Sequence, residues 1–235
     1  MNLGKLIMGI GGIIAGGNAL KEAFSGPGEP TTPPPQQPRL EGTGRSRLGN
    51  AAPMKTQIHE VKNINERVSY VIQMIKKGRD NPKVRQIAVQ TLSRKCEDGW
   101  CVPEKDWPAE IRAIFDFVRQ NIRYTRDTYG KDLFQHPLRT LHKDVVGGGF
   151  GGGDCDDYTI VLGSMLQAVG YPVKARVIRT RDRKPGDWNH IYLLVGLPPG
   201  GPKKWIPLDA SVDQPAGWQA PKSMIAEVRD FEVPA

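Results

Sequence analysis

The chain has 235 residues, of which 38% are hydrophobic, with 27 glycines, 20 prolines and a formal net charge of +8. That length suits one catalytic domain with appendages rather than two full domains, and the apolar share is enough for one core. The positive charge favours anionic partners such as lipid headgroups or cell-wall polymers. However, Lys and Arg are scattered without long runs or aromatic interleaving, which argues against specific nucleic-acid recognition.

Residues 1–25 form an apolar, glycine-rich start, with LGKLIMGIGGIIAGGNAL from Leu3 to Leu20. A Lys followed by an apolar run resembles a signal peptide, but there is no clean small-x-small cleavage site. The run is shorter than the ~20 residues that span a bilayer, and glycine weakens a helix in water. Three readings stay open: a signal peptide, a membrane-active tail, or a segment buried against another protein. Burial in an assembly or membrane contact through residues 1–20 is the favoured expectation.

Residues 26–53 hold a Pro-rich tether without apolar periodicity. Residues 54–102 read as a helical extension. Ile58, Val61, Ile64, Val68, Val71, Ile72 and Ile75 fall near helical spacing, with Gly78 expected to end the run. Asn81-Pro82 reads as an N-cap followed by proline at the first helical position, leading to a stripe of Val84, Ile87, Ala88 and Leu92. This helix pair shows no catalytic residue and reads as a packing or docking element.

Cys96 and Cys101 could bridge in an oxidising compartment. Their spacing matches no redox or zinc motif, so two reduced thiols are the plainer expectation. An odd count of three cysteines does not suggest a disulfide scaffold.

Residues 103–235 read as the main domain. Ile111, Ile114, Phe115, Val118 and Ile122 mark an amphipathic helix. A loop with Tyr124, Tyr129, His136 and His142 leads to Gly147–Gly153, glycine throughout except Phe150. A second helix starts near Cys155, carries Tyr158, Val161, Leu162, Met165, Leu166 and Val169, and stops at Gly170. Three strand-like runs follow, Val173–Ile178, His190–Val195 and Trp205–Leu208. Helices followed by successive short strands imply an α+β fold with an antiparallel sheet.

Cys155 carries the chemical interest. Amides and dipole at a helix N-terminus favour a thiolate, and the glycines would let backbone amides approach a substrate carbonyl. Cys155, Tyr158 and Leu162 share a helix face, so the sulfur is expected to face the sheet. Asp154, Asp156 and Asp157 oppose the thiolate while capping the helix. An imidazole must therefore supply activation. His190 opens one strand and Asp209 ends the next, so antiparallel pairing would bring them side by side, with Asp209 orienting the ring. Singly, each is more often a core Cys, a structural His and a turn Asp; together and in this order they make a candidate Cys155–His190–Asp209 triad.

Gly153-Asp154-Cys155-Asp156-Asp157, with the helix running into Ala168-Val169-Gly170-Tyr171-Pro172-Val173, resembles the cysteine motif of the transglutaminase-like superfamily. Trp188-Asn189-His190-Ile191-Tyr192 resembles its histidine motif, Trp205-Ile206-Pro207-Leu208-Asp209-Ala210-Ser211 its aspartate motif, and Ala113–Tyr124 its leading helix. Many relatives carry a small residue and an aromatic after the histidine, where Ile191 and Tyr192 stand here. The resemblance is greatest to the bacterial and phage (Mu-like prophage) cysteine peptidase subgroup. It implies a papain-like core with the nucleophile helix packed on a small antiparallel sheet, a protein or cell-wall peptide substrate, phage structural proteins as partners and a virion location. Beside the Cys155 amide, Tyr124 is the candidate second oxyanion donor, its alternative role being a core aromatic.

A phosphate-binding loop is excluded because no Gly-Lys-Ser/Thr follows the glycines. A metal site is disfavoured: one Cys with one His is thin for zinc, and the acids lack the downstream Glu of a calcium loop. No cofactor is expected. The rival reading is a non-catalytic scaffold in a phage head or tail, with the N-terminus making the assembly or membrane contact. Occlusion of Cys155 would favour it.

Overall fold

The computed structural model describes residues 58–59, 63–127, 132–142 and 151–235. The apolar start, the Pro-rich tether, Tyr129 and the glycine run before Gly151 lie outside these residues.

Strand β1 (Ile58–His59) pairs antiparallel with β5 (Asp132–Leu133). Ile58 therefore does not open the first helix. Helix α1 spans Ile64–Arg79 and starts where the Asn63 side chain accepts the Glu66 amide at 3.1 Å. Val68, Val71, Ile75 and Gly78 are its buried stripe. Gly78 was expected to end the helix, yet it lies inside it as a packing residue. A Cβ there would collide with Ser164 Oγ and come 2.6 Å from Pro137 Cγ. The glycine thus permits close helix contact at a modest cost in helix propensity.

Helix α2 (Pro82–Leu92) begins as the Asn81-Pro82 pair dictates, with Asn81 Oδ1 accepting the Lys83 amide at 2.9 Å. Two short strands, β2 (Lys95–Cys96) and β3 (Gly99–Trp100), then form a hairpin. Gly99, at φ +125°, supplies a backbone conformation that a side chain would resist. The turn brings Cys96 and Cys101 to a Cα separation of 5.1 Å, and they form a disulfide. The plainer expectation of two free thiols is corrected, because spacing alone does not reveal the hairpin.

Helix α3 (Trp107–Asn121) buries Ile111, Ile114, Phe115 and Val118 and runs into β4 (Ile122–Tyr124). A single turn, α4 (Pro137–Thr140), is capped by His136, whose Nδ1 accepts the Leu138 amide at 3.2 Å. Strand β6 (Gly151–Gly153) pairs parallel with β4, placing Tyr124 opposite Gly153. Its glycines have a steric cause. A Cβ at Gly151 would collide with the Thr140 carbonyl, and one at Gly153 would come 2.5 Å from Asp157 Oδ2.

Helix α5 (Cys155–Ala168) is buried over its whole length. Helices α1, α2 and α3 pack against it, as does the sheet through β8. Full burial of Ile160, Val161, Leu162, Met165 and Leu166 contributes on the order of 1.5–3 kcal/mol each. Gly170, at φ +95°, ends the helix as expected.

The sheet has the order β10-β7-β8-β9, from Ile225–Val233, Val173–Thr180, His190–Leu197 and Lys204–Leu208, and every pairing is antiparallel. The α+β class with a central helix on a small antiparallel sheet is therefore observed, with helices from the N-terminal side completing the core. Strand β10 was not foreseen. It lies at the sheet edge, and its sequence IAEVRDFEV carries acids that face arginines of β7: Arg176 meets Asp230 at 2.7 Å and Arg179 meets Glu227 at 2.6 Å.

Candidate functional site

Cys155 is the first residue of α5, so its amide has no acceptor within the helix. Asp154 caps that end, its Oδ1 accepting the Asp156 amide at 3.0 Å. The thiol shares a crevice with the start of β8, where the Ile191 backbone amide acts to lower its pKa. The sulfur does face the sheet, whereas Tyr158 turns the other way and donates to the Ile122 carbonyl at 2.7 Å.

His190 and Asp209 meet across β8 and β9. The Nε2–H of His190 donates to Asp209 Oδ2 at 2.6 Å, with side chains 8% and 4% exposed. Asp209 is fixed in turn by Ser211, whose amide and hydroxyl donate to Oδ1 at 3.3 and 2.7 Å. With Nε2 engaged, Nδ1 is the ring nitrogen left for a proton exchange. Burial disfavours the imidazolium, but Asp209, by charge and hydrogen bond, and Asp156 outweigh it and raise the His190 pKa above its ordinary value.

Cys155 and His190 share one narrow crevice with Ile64, Arg67, Asp156, Val177, Trp188, Asn189 and Ile191. Asn189 pins the turn before β8 by bonding the Thr180 amide and hydroxyl, both at 3.0 Å. Arg229 stacks 4.8 Å from the Trp188 ring centre and holds that side of the crevice.

Electrostatics oppose a resting thiolate. Burial first, then Asp156 and Asp154, push the Cys155 thiol well above its usual range, while Arg67 and the Ile191 amide pull it back. The expected helix-terminus stabilisation is thus outweighed. The acids themselves are not simple caps. Asp157 accepts the Gln135 amide at 3.0 Å and its side-chain nitrogen at 2.7 Å, and burial pushes its carboxyl up to about 7. Burial and the neighbouring acids also raise Asp154 well above the carboxylate range.

Asp154, Cys155 and Asp156 bring their donor atoms within 4.8 Å of one another. Of these groups, Asp154 Oδ1 accepts the Asp156 amide and Asp156 Oδ2 is ion-paired with Arg67.

Sequence reasoning missed Arg67. From α1 it bonds Asp156 Oδ2 through Nε at 3.0 Å and Nη2 at 2.9 Å, and Nη2 lies 3.2 Å from Asp132. The helix pair therefore does contribute to the crevice. Tyr124 is half exposed beside the site and stacks on Tyr158 with ring centres 6.4 Å apart. Burial, then the Cys155 and Asp154 charges, raise its pKa. His136 serves as the α4 cap and does not line the crevice.

A helix-borne cysteine set against an antiparallel sheet, with a buried His–Asp pair on the adjoining strands, defines a papain-like α+β arrangement. Residues 99–210 match the model of the transglutaminase-like superfamily, so the chain carries a domain of that superfamily. Cys155, His190 and Asp209 lie within the match, whereas Arg67 and strand β10 lie outside it. No curated protein matches the chain.

Proposed function

We propose that the chain is a cysteine-dependent acyl-transfer enzyme acting chiefly as an amide hydrolase, with Cys155 as nucleophile, His190 as general base and acid, and Asp209 as the residue that orients His190. The observation that carries this reading is the 2.6 Å His190–Asp209 bond at the crevice that also holds Cys155. His190 Nδ1 takes the thiol proton as Sγ attacks the acyl carbon. The imidazolium returns that proton to the departing amine, leaving a thioester that water hydrolyses with His190 again as base. The free Cys155 amide at the helix start supplies one oxyanion donor, and Tyr124 is the proposed second. Because the thiol is held protonated, general-base transfer fits the site better than a preformed thiolate–imidazolium pair.

Water is the default acceptor, which favours hydrolysis over cross-linking. A protein or cell-wall peptide is the proposed acyl donor. A virion role and phage structural partners extend the proposal and rest on the motif resemblance. The test is turnover of a fluorogenic peptide library by wild type and Cys155→Ala. Activity lost in the variant is expected; activity retained sinks the assignment.

One observation favours the scaffold reading: Cys155 is only 9% exposed and is covered by its own chain. Under that reading small electrophiles as well as peptides fail to modify the thiol.

A further inference from the structure

The domain match begins at residue 99, yet one wall of the crevice comes from the first turn of α1. Ile64 and Arg67 stand three residues apart, on neighbouring positions of one helix face, and both line the crevice beside Cys155. Two features fix this turn in place. Asn63 caps it, and at the other end of the helix Gly78 sits against Ser164 of α5 without room for a Cβ. The start of α1 is thereby held in register with the start of α5.

We propose that Arg67 is a positioning residue of the cysteine site: it holds the Asp156 carboxylate in an ion pair and so lessens the opposition of that charge to a developing Cys155 thiolate. The proposal rests on the reading of Cys155 as the reacting group. Asp156 is the immediate neighbour of the nucleophile and its side chain is only 2% exposed, where an uncompensated carboxylate is costly. Both Arg67 bonds converge on Asp156 Oδ2, and the thiol lies 3.8 Å from the other oxygen, Oδ1. Arginine suits the task, because its planar fork offers two donors to one group and stays charged at any working pH. Burial works to lower the Arg67 pKa, but Asp156, Cys155 and Asp132 outweigh it. The charged and titratable groups around the sulfur are Arg67 from α1, Asp154 and Asp156 from its own helix, Tyr124 from β4 and His190 from β8. Arg67 is the permanent cation among them.

The functional site is therefore composite: an isolated 99–210 unit lacks the guanidinium that balances its own acidic motif.

The experiment is the pH dependence of Cys155 alkylation by iodoacetamide, followed by mass spectrometry, in wild type, Arg67→Met, Asp156→Asn and the double variant. Arg67→Met is expected to move the labelling midpoint up by about 1 pH unit, and Asp156→Asn to move it down. The double variant should return toward wild type. If Arg67→Met does not fold, Arg67→Lys and the double variant carry the comparison, and both are expected to fold and label with midpoints near wild type. An unchanged midpoint in folded Arg67→Met, a double variant that behaves like Arg67→Met, or failure of both substitutes to fold would overturn the proposal. Alkylation needs no turnover, so this outcome is separate from the Cys155→Ala test of the activity.

Discussion

The Asp209 carboxylate is placed to hold His190 in one tautomer, and its removal should be felt in rate more than in stability. Under the proposed mechanism Asp209→Asn is expected to lower kcat by ~10³–10⁴-fold, the scale for loss of a triad carboxylate. The same change removes the largest influences that raise the His190 pKa, so the acid limb of the rate profile should shift to lower pH. In wild type the proposed mechanism requires a neutral His190, whose pKa is raised. The rate should therefore climb with pH through a value above 6.5, the ordinary imidazole pKa. A profile already flat at pH 6 would contradict this. Asp157 gives a stability counterpart. Its folded pKa of about 7 exceeds the ordinary 3.8, so the folded state binds the extra proton and stability falls as pH rises between those values. Asp157→Asn should flatten that fall by on the order of 2–4 kcal/mol in urea melts at pH 5 and pH 8. The closeness of His190 and Asp209 was readable in the sequence because strand ends in an antiparallel pair leave few alternatives. Arg67 was not, because its bond to Asp156 spans 89 positions and one Arg in an amphipathic helix has no local signature.

Among the elements, α1 against α5 is the contact that sets the crevice. Gly78→Val would force a side chain into Ser164 and Pro137, and should destabilise the protein by about 1–3 kcal/mol. Chemical denaturation checks this, and Ser164→Gly in the same chain should recover part of the loss. Helix starts were legible wherever a polar cap preceded the apolar stripe, as at Asn81 and Asp154. The packing role of the glycines was not legible: Gly78, Gly151 and Gly153 each stand where a neighbouring element leaves no room for a Cβ. Such causes lie in packing between elements. Strand β10 escaped notice for a related reason: an edge strand with Arg–acid pairs lacks the apolar alternation that marks a half-buried strand.

Across the whole molecule, one helix serves as the core for everything else. With α5 buried on all sides by α1, α2, α3 and the sheet, the superfamily domain has no reason to fold without its N-terminal helices. A fragment starting at residue 99 exposes the faces that Val68, Val71, Ile75, Val84 and Ala88 cover. It should aggregate or lose cooperative unfolding, whereas a chain beginning near residue 58 should melt as one unit. Differential scanning calorimetry distinguishes the two.

The proposed reaction requires Cys155 to be a nucleophile driven by His190. Acylation by p-nitrophenyl acetate, followed by stopped-flow absorbance and intact-protein mass spectrometry in wild type and His190→Ala, tests this directly. A burst of about one equivalent of nitrophenolate, an acetyl thioester confined to Cys155, and slow or absent acylation in His190→Ala are expected. No burst, or a thioester that forms equally fast without His190, would contradict it.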